Sequence, residues 1–133
     1  MICGFWVTLL LVGRITRMLE SSFAKKFADE WVSAWNRHDL DSVLSHYTED
    51  FEFSSPFIPA VAGEPSGILV GHKAMRTYWS KALERRPDLA FKIIKVLIGV
   101  NSLIIYYSRY DSMIGAEYFE FNKDHRVFRS SAH

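Results

Sequence analysis

The apolar residues of this chain keep a helical period in its first part and an alternating period in its last third, and few architectures accommodate both. Phe23, Phe27, Trp31, Ala34 and Trp35 recur at three- and four-residue spacing, which gathers them on one face of a helix. Lys25, Lys26, Asp29, Glu30 and Arg37 fall on the other faces, and Ser22 is placed to cap the start. Asn36, Arg37 and His38 interrupt the pattern, after which Asp39 can cap a short second helix carrying Leu40, Val43, Leu44 and Tyr47. A third helix is predicted over residues 72–85, with Met75, Tyr78, Trp79, Ala82 and Leu83 inward and Pro87 just beyond its end.

Strands follow a different rule. Residues 51–55 alternate as a first half-buried strand, and residues 89–100, 102–110, 114–121 and 126–132 predict four more. Turns fall near Asp111-Ser112 and across Asn122, Lys123, Asp124 and His125. Pro56, Pro59, Gly63, Pro65 and Gly67 make the connection between the first strand and the third helix an irregular loop, placed to form a rim or lid. Helices ahead of an antiparallel meander describe an α+β domain, in which three N-terminal helices cover one face of a curved antiparallel sheet.

A chain of 133 residues makes one such domain. Aromatic residues are 15% of it, enough to line a core or a pocket with rings. The net charge of +1 excludes the concentrated positive surface that nucleic-acid binding requires. Arg85 and Arg86 are adjacent near a helix end, but no basic stripe develops. Cys3 is the only cysteine, so neither an internal disulfide nor a multi-thiolate metal site can form. His46, His72, His125 and His133 show no metal-ligand spacing, and no metal is expected. Gly63, Gly67 and Gly71 lack the strand-to-helix setting of a phosphate loop, so no nucleotide or other cofactor is expected. His38 and Asp39 suit turn and capping roles at a helix junction, and Ser55 lacks the glycine-flanked elbow of a nucleophilic serine.

Residues 1–20 stand apart from this domain, which is assigned residues 21–133. Residues 2–13 are apolar but for Thr8, too few to span a bilayer and without the flanks of a secretory signal. Three readings fit: a membrane-proximal segment, an extra helix on the domain, or sequence upstream of a true start at Met18. The last is preferred. A reducing, cytoplasmic setting away from membranes fits the single cysteine.

Alternation places Glu117 on the same face as Phe119 and Phe121. A carboxyl among rings is costly to ionise, so its pKa rises and it can act as acid, base or hydrogen-bond donor; the competing reading is pairing with a neighbour such as Arg109. Trp31, Trp35, Tyr47, Phe53, Ser55, Tyr78, Trp79 and Phe119 are the candidates to line the same cavity, although aromatics at helical spacing serve plain cores more often than sites.

Three stretches carry a family resemblance. The first runs from Trp31 through Asn36-Arg-His-Asp-Leu-Asp41 to Glu49-Asp-Phe-Glu-Phe53, the second is Gly71-His-Lys-Ala-Met-Arg-Thr-Tyr-Trp79, and the third is Glu117-Tyr-Phe-Glu-Phe-Asn-Lys-Asp-His-Arg-Val127. In this order, over residues 22–133, the chain resembles the SnoaL-like branch of the nuclear transport factor 2-like fold. The resemblance implies a cone-like sheet enclosing an apolar pocket for a small apolar or cyclic molecule, and a homodimer. Against the ketosteroid isomerases of that superfamily, which use an Asp base with a Tyr and a protonated Asp in the oxyanion hole, the tyrosine position falls on Trp31. The base position falls on Ser55 and the oxyanion acid on Glu117. Serine is no base, so that mechanism is not implied. The alternative to plain binding is an isomerase or cyclase-type enzyme in which Glu117 handles a proton while Trp31 and Tyr47 position the substrate.

Overall fold

The computed structural model describes residues 18–133, so the apolar segment at residues 2–13 lies outside the described residues. Helix α1 (Ser21–Asn36) buries Ala24, Phe27, Ala28, Trp31, Ala34 and Trp35 along one face. Its N-cap is Glu20, with no side-chain cap bond, rather than the expected Ser22. The chain turns at His38, whose φ of 56° is left-handed, and α2 (Leu40–Leu44) begins under Asp39. That carboxylate accepts from the Ser42 N–H at 3.1 Å and from its hydroxyl at 2.6 Å, satisfying donors that a helix start leaves free.

Helix α2 stops before Tyr47. The peptide N–H of Val127 donates to the His46 carbonyl, drawing the chain into β1 (Tyr47–Ser54). The expected loop also contains regular structure: α3 (Ile58–Ala62) and β2 (Ile68–Val70). Pro59 sits in the first turn of α3, where its missing N–H costs nothing, and Gly63 takes the left-handed terminating position at φ 74°. Helix α4 (His72–Arg85) buries Met75, Tyr78 and Trp79. Four strands complete the chain: β3 (Phe91–Ile98), β4 (Ser102–Arg109), β5 (Ile114–Phe121) and β6 (Val127–Ala132).

These form one α+β unit with a six-stranded sheet in the order β2-β1-β6-β5-β4-β3. The meander from β3 to β6 is antiparallel, as is β1 with β2. The sheet as a whole is nevertheless mixed, because β1 and β6 pair in parallel. After β1 and its edge partner β2 the chain crosses by way of α4 to the far edge at β3, and the meander returns β6 running in the same direction as β1.

Leu103, Ile105 and Tyr107 of β4 point inward, as do Gly115, Glu117, Phe119 and Phe121 of β5. At one end of this face α1 closes the core. Phe27 meets Phe119 and Phe121 edge to face, each with centroids 4.9 Å apart. Each such fully buried ring is worth roughly 1.5–3 kcal/mol against exposure. At the other end α1, α4 and the sheet enclose a space.

Candidate ligand cavity

That space has a volume of about 350 Å³. Trp31 and Trp35 of α1 wall one side, Tyr78 and Trp79 of α4 another, and Phe53 with Ser55 a third. Tyr107 and Glu117 reach it from the sheet, and Phe57 and Val61 from the segment carrying α3. The segment expected as a rim therefore borders the cavity, in the form of a short helix.

Glu117 is 5% exposed. Burial pushes its pKa up from 4.5 to about 8, and a hydrogen bond from Tyr107 pulls the other way. The acid is thus mostly protonated near neutral pH, able to donate a hydrogen bond or release a proton. Arg109, the competing partner, is instead paired with Asp111 at 2.7 Å.

Tyr107 escaped the sequence reading. It faces Gly115 across the β4–β5 ladder, and a Cβ on that glycine would meet the ring's Cε2 and Cζ at 2.8 Å and its hydroxyl at 2.9 Å. The ring therefore lies flat over a residue without a side chain, one step along β5 from the register partner of Tyr106 and two from that of Ile105, which is Glu117. The available signal was Gly115, two residues from Glu117 on the same face of the strand. Burial also pushes the Tyr107 phenol up, with the nearby Glu117 charge adding to it.

Two expected cavity residues do not line it. Tyr47 and Phe119 belong to the core behind the wall: Tyr47 packs on Phe51 at 4.4 Å and Phe119 lies between Phe27 and Trp31. The Trp31 N–H donates to the Tyr47 hydroxyl at 3.0 Å, so that donor is spent on Tyr47 rather than on a substrate. Ser55 is buried, and its hydroxyl accepts from the Phe57 N–H at 3.2 Å and lies 3.5 Å from the Tyr78 hydroxyl; it caps a turn and has no base beside it. The indole N–H of Trp35 is buried without a partner among the described residues. His38 holds the Leu89 carbonyl at 2.8 Å, a structural contact. Among the described residues no cluster of His, Cys, Asp and Glu could hold a metal ion, and no helix is long and apolar enough to cross a membrane.

Trp31, Ser55 and Glu117, the three positions singled out by the isomerase comparison, all border this one cavity. The sequence profile of the SnoaL-like domain matches residues 28–128. The chain belongs to the SnoaL-like family. A SnoaL-like protein of unknown function from Burkholderia thailandensis is 45% identical and superposes with a TM-score of 0.83, over 88% of this chain and 98% of that one. A protein of unknown function with a cystatin-like fold from Methylobium petroleophilum is 17% identical at a TM-score of 0.67, over 87% of this chain and 78% of that one. A nuclear transport factor 2-like protein of unknown function from Burkholderia pseudomallei is 12% identical at a TM-score of 0.67, covering 83% and 88% respectively. No curated protein matches the sequence.

Proposed function

We propose that this SnoaL-like domain binds a small cyclic, largely apolar compound in the cavity and that Glu117 donates a hydrogen bond to an oxygen of it. One observation carries the reading: a carboxyl sunk among aromatic rings borders a cavity of about 350 Å³. Volumes of roughly 300–1,000 Å³, apolar walls and a few convergent polar groups are the usual makings of a small-molecule site. A thermal-shift screen of the protein against cyclic ketones, phenols, terpenoids and polyketide-like aromatics tests it. A ligand at about a hundred times its dissociation constant stabilises the folded state by roughly 2.7 kcal/mol. The ketone shifts should shrink in Glu117→Gln or above pH 8; a screen with no shift from any class sinks the reading.

A second reading, proton-transfer catalysis of the isomerase or cyclase kind, is favoured by the Glu117 pKa of about 8. An acid–base group is most useful when its pKa lies near the working pH. Deuterium exchange at the carbon beside the carbonyl of 2-tetralone, followed by NMR, separates the two. Acceleration by the wild type and none by Glu117→Gln supports turnover; no acceleration by either leaves binding alone.

The partner we propose is a second copy of the chain, seated on the outer sheet face where Ile94, Leu97, Tyr106 and Ile114 stand exposed. A cytoplasmic setting fits the single Cys3.

A further inference from the structure

The rim of the cavity carries charge that an apolar ligand would leave idle. Arg85 ends α4 and Arg86 is its C-terminal cap. Both border the cavity, as does Arg109 at the end of β4. Arg109 is already neutralised by Asp111 and stands over the Phe57 ring, 5.8 Å from its centroid. Arg85 and Arg86 have no carboxylate within ion-pair distance among the described residues. Arg86 rests over the Tyr110 ring, 5.8 Å from its centroid, which holds its guanidinium at the rim. Glu84 and Asp88 flank the pair in the chain but do not border the cavity, where Glu117 is the one acidic side chain.

The C-terminus of α4 also has a claim on these cations, since a helix end carries about half a negative charge. Two guanidinium groups exceed it, and both residues border the cavity. A planar carboxylate matches a guanidinium through two parallel hydrogen bonds. The inner wall is aromatic, so the ligand's two ends would meet opposite chemistries.

We propose that the compound held here is an aromatic or alicyclic acid, its ring system against the tryptophans and its carboxylate at the mouth on Arg85 and Arg86. This rests on the ligand-binding reading of the cavity and adds the charge of the ligand to it.

Calorimetric titration at pH 7 with 3-(2-naphthyl)propanoate and its methyl ester tests the proposal. The titrations use the wild type and the double variant Arg85→Gln/Arg86→Gln. The acid should bind the wild type about tenfold more tightly than the ester, the size of one good charge-assisted contact. That preference should weaken with added salt and vanish in the double variant, while the ester binds both proteins alike and so reports that the cavity is intact. An ester that binds the wild type as well as the acid overturns the proposal and leaves the apolar-cavity reading standing. So does a preference that survives in the double variant. If the wild type binds neither compound, the acid proposal falls, and the ligand-binding reading stands or falls on the thermal-shift screen.

Discussion

Glu117 is costly for the fold because its charged form has exchanged water for aromatic walls. The direction of the resulting pH dependence follows from its pKa, raised from 4.5 to about 8. The folded state holds the proton more tightly than the unfolded one, so the linked stability is complete below pH 4.5 and is lost as pH rises through about 8. His46, whose pKa is lowered chiefly by burial, acts on the acid side, so the difference between wild type and Glu117→Gln isolates the carboxyl. In urea, that difference should move in favour of the variant between pH 5 and 9 by an amount of order a few kcal/mol; a flat difference would mean that the carboxyl is solvated. Gly115→Ala would drive a methyl into the Tyr107 ring. It should destabilise by about 1–3 kcal/mol, as overpacking does. By displacing the phenol that favours the charged carboxylate, it should also raise the Glu117 pKa further, which the same urea series reads.

At the scale of elements, α1 is anchored to the sheet by a buried polar contact as well as by rings. Trp31→Phe removes the donor to the Tyr47 hydroxyl and leaves a gap, so a loss of about 2–4 kcal/mol is expected. In a Tyr47→Phe background the same change should cost less, because no hydroxyl is then left unpaired; equal costs in the double-mutant cycle would show that the bond contributes nothing. Helices α1 and α4 were legible because their apolar faces repeat at helical spacing, and β4 and β5 because theirs alternate. Helix α3 was not, since Pro59 and Gly63 read as breakers when they in fact begin and end one turn of helix. Tyr47 follows Val43 and Leu44 at spacings that suit a helix equally well; pairing with Val127, distant in sequence, assigns it to β1.

Over the whole molecule the helices and cavity occupy one face of the sheet, and the opposite face keeps Leu97 and Tyr106 exposed. Apolar surface of this kind is normally covered by a partner. If the second copy covers it, Leu97→Glu should convert a dimer to a monomer in analytical ultracentrifugation, with little effect on the cavity ligand. A wild type that sediments as a monomer at high concentration would exclude that partner. The Arg85–Arg86 pair reads as an ordinary solvated doublet in the chain; only the fold, which sets Arg86 over the Tyr110 ring, brings it to the rim of a cavity.

Local spacing was enough to establish the α+β class, the inward direction of Glu117, and the aromatic character of what surrounds it, because helical and alternating periods depend only on near neighbours. Trp31, Trp35, Phe53, Ser55, Tyr78 and Trp79 line one cavity with Glu117. Tertiary structure alone decided the parallel β1–β6 pairing, the withdrawal of Tyr47 and Phe119 into the core, and the placement of Tyr107 over Gly115. Each of these depends on which distant residue lies opposite, and no local period records that. Whether an inward-facing ring becomes cavity wall or filled core is likewise settled by which distant side chains pack against it.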